Sequence, residues 1–141
     1  MAAPQAQSIS EQNKKLVERW FEQVWNEGRR EVIEELFAED GVIHDGPTTL
    51  RGPREFEQFY DGLCSQFSDF QIKPIISLSE DDLVCMHWAV TCRHIESGKT
   101  VEHTGMSVVR VRNGQFVEAW QNWDAARVEA QLSGKSPLSF V

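Results

Sequence analysis

From Phe70 to Trp123 the apolar residues alternate with polar ones in four segments, and this run constrains the fold more than any other feature of the chain. Alternation marks strands with one buried face. The segments run from about Phe70 to Ser79, Leu83 to Glu96, Thr100 to Arg112 and Gln115 to Trp123. Glu80-Asp81-Asp82, Ser97-Gly98 and Asn113-Gly114 separate them, and the last two are short signals that favour positive φ angles and tight hairpins. The spacing therefore predicts an antiparallel meander.

Upstream the period is helical. Ser8 with Glu11 three residues later fits a capping box, and Leu16, Val17, Trp20, Phe21, Val24 and Trp25 form one apolar stripe on a helix reaching about Glu27. Gly28 stops it. A short helix with Val32, Ile33, Leu36 and Phe37 follows, broken at Asp40-Gly41, and Val42 to Asp45 reads as a short strand stopped by Gly46-Pro47. Gly52-Pro53 opens a third helix, with Phe56, Phe59, Tyr60, Leu63, Cys64 and Phe67 on its buried side. Helices first and an antiparallel sheet afterwards give an α+β fold, a curved sheet closing into a cone under three to four helices. Residues 1–7 are small and polar and read as a disordered start; residues 8–134 form one domain; residues 135–141 are a loose tail in which Leu138, Phe140 and Val141 are free to dock.

Composition narrows the partners. The 22 acidic and 14 basic residues give a net charge of -8, which argues against nucleic acid and anionic membranes. No run approaches the ~18 apolar residues of a membrane span, and the N-terminus lacks the pattern of a signal peptide, so the expected location is the cytoplasm. Cys64, Cys85 and Cys92 are odd in number and not at metal spacing, which reads as reduced thiols. Nor do the four histidines show compact ligand spacing, so no metal and no cofactor is expected. Five Trp and eight Phe in 141 residues favour a cone lined by flat apolar surfaces and an apolar small-molecule ligand.

The stretch Gln115 to Leu132 passes from strand to helix through Trp120, Asn122, Trp123 and Asp124. Strict alternation puts Phe116, Glu118, Trp120, Asn122 and Asp124 on one face, read as the pocket wall, and Val117, Ala119, Gln121 and Trp123 on the other. With Val108, Val117, Ala119 and Trp123 would then form a convex apolar patch, the basis for expecting a homodimer. Asp124 is either an acid/base or a helix N-cap worth roughly 1 kcal/mol. His103 shares a face with Gly105, Ser107 and Val109, so an inward imidazole competes with an exposed one, while His87 should point outward opposite Met86 and Trp88. The candidate pocket aromatics are Trp20, Phe59, Trp88 and Trp120, although helical spacing alone explains Trp20 and Phe59 as core.

The order of these elements, the segments GVIHDGPTTLRGPREFEQFY and SDFQIKPIISLSEDDLV, the hairpin ESGKTVEHTGMSVVRVRNGQFVEAW and the W-x-x-x-D ending followed by QLSG together resemble the SnoaL-like polyketide cyclase family. That family sits in the cone-shaped superfamily of nuclear transport factor 2 and ketosteroid isomerase. The resemblance spans about Lys15 to Gly134 and implies a cystatin-like curved sheet, frequent homodimers and a pocket needing neither metal nor organic cofactor. It implies an acid/base role for Asp124, at the family's terminal aspartate, and a place at the cone mouth for His44. In the related epoxide hydrolases a catalytic aspartate would be expected where Asn122 stands, and an amide cannot abstract a proton at neutral pH. That departure argues against epoxide hydrolysis.

The resulting expectation is a small cofactor-independent enzyme performing proton transfer, a cyclisation or isomerisation, on an apolar carbonyl compound. Asp124 would be the acid/base, with Asn122 and His44 or His103 donating to the enolate oxygen. The alternative is a ligand-binding or dimerising scaffold of the same fold without chemistry.

Overall fold

The computed structural model describes residues 8–134, so the expected disordered start and loose tail lie outside the described residues. Helix α1 (Ile9–Trp20) starts where the capping signal places it, with Ser8 Oγ accepting from the Glu11 N–H at 3.2 Å. Its last stretch is not a continuation of the same helix: Phe21–Asn26 forms a π-helical turn. Helix α2 (Val32–Leu36) ends earlier than Asp40-Gly41, because Phe37 already pairs with Phe116 as the first residue of β1 (Phe37–Asp45). Gly46-Pro47 does not end the sheet either, but turns the chain into a hairpin with β2 (Thr48–Arg51). Helix α3 (Gly52–Gln66) follows, then β3 (Phe67–Glu80), β4 (Leu83–His94), β5 (Thr100–Arg112) and β6 (Gln115–Trp123), with α4 (Ala125–Ser133) closing the order.

The fold is α+β, with four helices and a six-stranded sheet in the order β2-β1-β6-β5-β4-β3. The three breaks in the alternating run are the three turns of the β3-to-β6 meander, and Asn113 (φ 52°) and Gly114 (φ 76°) both adopt the left-handed conformation a two-residue hairpin turn demands. One pairing departs from the antiparallel rule: β1 runs parallel to β6. The sheet is curved but not closed, with β2 and β3 as its edges.

Helices cover the concave face. Trp20 is in the core, its ring 5.0 Å from Phe56 and 5.3 Å from Phe116. From the sheet, Val84, Met86, Trp88 and Val90 of β4 and Val109 and Val111 of β5 point into the same core, while His87 lies on the convex side and bonds the Gly105 carbonyl at 3.1 Å.

Strand β6 breaks strict alternation. Arg110 pairs with Glu118 but Val111 pairs with Phe116, so Val117 is an extra residue in the ladder, a β-bulge. Beyond it the faces exchange. Ala119 is buried and Gln121 and Trp123 turn into the cone, while Glu118, Trp120 and Asn122 turn outward. The face assignment expected for Trp120, Asn122, Ala119, Gln121 and Trp123 is thus reversed. The convex patch changes with it: Ala119 and Trp123 leave, and the exposed apolar side chains there are Ile76, Leu78, Met106 and Trp120. Val108 pairs with Trp120 and Cys85, and Met106 with His87, so these residues lie in register across the sheet.

Gly105 fixes the position of Trp88. A Cβ at Gly105 would run into the Trp88 ring and come within 2.9 Å of the Asn122 backbone oxygen. We expect Gly105→Ala to cost about 1–3 kcal/mol in a urea titration, since neither a buried indole nor a strand backbone yields easily. An unchanged midpoint would contradict this packing.

Candidate functional site

The concave face leaves a cavity with about 660 Å³ of empty space including its open mouth. Helix-side walls come from Phe21 and Trp25 of the π-helical turn and Phe59 and Leu63 of α3. Trp88, Val90 and Cys92 of β4, His103 of β5, Gln121 and Trp123 of β6 and Val128 of α4 form the other side. The surface is apolar apart from His103 and Gln121. Cys92 adds no nucleophile: burial pushes its thiol up to about 11, so it stays protonated at neutral pH.

His103 reaches the cavity because β5 alternates without interruption from Val101 to Val109. Its ring stands 5.4 Å from Trp123 and 6.0 Å from Trp88, centroid to centroid. Its Nδ1 is fully buried and has no hydrogen-bond partner. Burial holds the imidazole below its usual range; the Asp124 carboxylate pulls it up and the Arg127 guanidinium pushes it down. A neutral imidazole on an apolar wall can accept or deliver a proton, or bond a ligand atom.

Asp124 does not enter the cone. It caps α4, with Oδ1 accepting from the Arg127 N–H at 3.0 Å, and the residue is exposed. Of the two readings of this carboxylate, the cap is the one the geometry contains, and its reach toward His103 is through charge. Asn122 is exposed on the convex face, away from the cavity, so an amide at that position does not bear on epoxide hydrolysis inside the cone. His44 is also outside rather than at the cone mouth. It lies with Glu118 (Nε2 to Oε2, 2.8 Å) and stacks on Trp120 at 5.6 Å, because Val42 and His44 alternate with the inward Ile43 and Asp45. Phe59 and Trp88 border the cavity, whereas Trp20 lies in the core and Trp120 is 37 % exposed on the outer face.

Three residues were missed. Gln121 and Trp123 were hidden by the bulge, which has no signature in the sequence. Asp45 was readable, since it shares a face with Ile43. It is only 8 % exposed; burial raises its pKa, and hydrogen bonds from the Gln121 and Trp123 side chains pull it back down. Asp45 therefore sits beside Gln121, its partner across the β1–β6 pair, and is not among the residues that line the cavity.

Helix α4 is secured by polar contacts to β5. Gln131 brackets Glu102, donating to its carbonyl at 2.7 Å and accepting from its N–H at 2.9 Å. Arg127 bonds the Glu102 carboxylate at 3.0 Å, and Lys99 Nζ reaches the Leu132 carbonyl at 3.2 Å. These contacts hold Val128 against the cavity. No cluster able to hold a metal ion occurs among the described residues, and none of their helices is long and apolar enough to cross a membrane.

A curved, helix-covered sheet of this kind is a ketosteroid isomerase-like fold, and solved structures share it. A candidate SnoaL-like polyketide cyclase from Jannaschia sp. CCS1 superposes with a TM-score of 0.83 at 19 % identity, over 95 % of this chain and 100 % of that one. A candidate polyketide cyclase from Acidithiobacillus ferrooxidans gives 0.79 at 24 % identity, over 92 % and 100 %. AclR from Streptomyces galilaeus, a candidate hydroxylase, gives 0.80 at 19 %, over 90 % and 99 %. At these identities the likeness establishes the fold, and the differing activities named show that the fold leaves the reaction open. The sequence itself decides the family: the SnoaL-like polyketide cyclase model matches residues 15–132, and the chain belongs to that family. No curated protein matches it.

The lowered pKa of His103 has a sign that can be checked. The unfolded imidazole, near 6.5, binds protons more readily than the folded one. Its contribution to stability is therefore intact above that pH and is lost as the pH falls below it, until folded His103 protonates too. We expect the His103 resonances to titrate with a midpoint below about 6.5, and Asp124→Asn to lower the midpoint further. A wild-type midpoint at or above the free-imidazole value would contradict the buried placement.

Proposed function

We propose that the protein is a small enzyme that moves a proton on an apolar, carbonyl-bearing molecule held in the cavity, in a cyclisation or isomerisation, with His103 as the acid/base. The observation that carries this reading is the His103 imidazole on the wall of an otherwise apolar cavity, held below its usual pKa by burial. Membership of a cyclase family supports it.

In the proposed step a neutral His103 takes a proton from the carbon next to the ligand carbonyl. The C–H electron pair becomes the carbon–carbon double bond of an enolate, and the Gln121 amide, held by Asp45, donates a hydrogen bond to the oxygen. Returning the proton to a different carbon gives isomerisation. Attack of the enolate carbon on a second carbonyl closes a ring, with the imidazolium giving its proton to the new alkoxide. The apolar walls exclude water and keep imidazolium and enolate paired. Burial alone would make His103 too weak a base; the charge of Asp124 moves it back toward the operating pH. The acid/base assignment thus passes from Asp124 to His103.

Ring opening of 5-nitrobenzisoxazole, a flat apolar probe that needs only removal of a proton from carbon, tests this. We expect saturable turnover, a loss of about 100-fold or more in His103→Gln, and a much smaller loss in Asp124→Asn. Turnover that survives in His103→Gln but collapses in Asp124→Asn would return the role to Asp124. Saturable binding with no acceleration over free imidazole would instead favour the non-catalytic ligand-binding module.

The homodimer is proposed on the corrected surface, where Ile76, Leu78, Met106 and Trp120 lie exposed on the convex face. Analytical ultracentrifugation at micromolar concentration should give twice the chain mass, with Trp120→Glu shifting it toward one; a monomeric wild type would refute the dimer.

A further inference from the structure

Strand β5 outruns its partner β6. Their pairing stops at Gly105 and Trp123, closed by a bond from the Asp124 N–H to the Thr104 carbonyl at 3.1 Å, so the β5 backbone before Thr104 needs other partners on that edge. The Gln131 side chain supplies them. Its amide takes the Glu102 N–H and carbonyl together, as a paired strand residue would, and also bonds the Arg127 carbonyl of its own helix at 3.0 Å. A side-chain amide thus ties α4 to the sheet at the point where the ladder has ended.

Little else anchors this helix. Of the described residues of α4 only Val128 is buried, and it lies on the cavity wall. The Arg127–Glu102 ion pair beside the amide bracket is exposed, and exposed pairs add little. A segment held by polar contacts near solvent and one apolar side chain opens locally at a lower cost than the core. Its ends suit such a movement: Asp124 (φ -81°, ψ 75°) joins it to β6 outside both strand and helix geometry, and Gly134 ends it in the left-handed conformation. Although the cavity has an open mouth, Cys92 on its sheet side is only 4 % exposed, one strand in from the bracket at Glu102.

We propose that α4 is a hinged wall of the cavity, pivoting at Asp124 and latched by Gln131, which swings out to admit a ligand and closes to shield His103 from water. This rests on the reading of the cavity as a ligand site with His103 as its acid/base. Gln131 is then a positioning residue: it touches no ligand and acts through where it holds Val128 and Arg127. The titratable and charged groups around the imidazole are Asp124 and Arg127 of α4 and the protonated Cys92 of β4, while its neighbours Gln121 and Trp123 of β6 and Trp88 of β4 carry no charge. Opening lets water reach His103 and carries the Arg127 guanidinium away, and both changes favour the imidazolium; Asp124, at the pivot, stays.

Cys92 reports the opening in the native chain, because methyl methanethiosulfonate modifies its thiol only when the reagent reaches it, and peptide mass spectrometry separates it from the half-buried Cys64 and Cys85. We expect slow labelling of Cys92 in the wild type at a rate that low urea leaves unchanged, the mark of a local opening. In Gln131→Ala the labelling should be roughly tenfold faster, the worth of one good hydrogen bond. The His103 midpoint should also rise in that variant, which a general loss of stability would not bring about. Labelling of Cys92 that climbs with urea in step with global unfolding would overturn the hinge, and equal labelling of the two proteins would overturn the latch. An unmoved His103 midpoint would remove the shielding role. None of these readouts needs a ligand or turnover, so the hinge can fail while His103 acts as proposed, and a protein without activity can still show the hinge.

Discussion

The single extra residue at Val117 determines what the cone contains. Strand β6 must pack Phe116 against Trp20 at one end and finish its pairing with β5 at the other, and the bulge lets it do both by shifting the ladder one residue. The neighbouring strand accommodates it. At Gly41, β1 passes so close that a Cβ would lie 2.9 Å from the Phe116 carbonyl oxygen, and the β1–β6 register jumps between Phe37 and Val42 at the same level. Everything beyond the bulge follows: Gln121 and Trp123 face the cavity, while Glu118 and Trp120 meet His44 on the outer face.

With that face set, the proposed chemistry rests on the contrast between inside and outside. His103 is neutral because it is buried among Trp88, Trp123 and aliphatic walls, and the charges that tune it, Asp124 and Arg127, sit on α4 at the edge. The buried carboxylate of Asp45 is not on the cavity wall but beside Gln121 on the neighbouring strand. A site of this kind puts its donors on strands and its tuning charges on a helix terminus. The polar clasp of Gln131, Arg127 and Lys99 onto β5 keeps that helix in place with little buried apolar surface.

Much of the fold was legible because its signals are local. The Ser8 cap, the change of period after α3, the Asn113-Gly114 turn and the start of α3 at Gly52-Pro53 each depend on neighbouring residues. The inward face of β5, and His103 with it, was legible for the same reason, since nothing interrupts its alternation. The parallel β1–β6 pair and the short β2 were not, because they depend on contacts between segments far apart in the chain. The bulge was the costliest omission. Val117 looks like any strand residue, and counting by twos across it placed Trp120 and Asn122 in the cavity and left Gln121 and Trp123 outside. The family resemblance draws His44 inward, although its parity is opposite to that of the inward Ile43.

Nuclear Overhauser contacts from the imidazole ring protons of His103 test the inverted face of β6 most directly. The inward placement of both strands predicts contacts from His103 to the indole protons of Trp123 and Trp88, and from His44 to those of Trp120. Contacts between His103 and Trp120, with none to Trp123, would mean that β6 runs without its bulge and that the cavity is built from the opposite set of side chains.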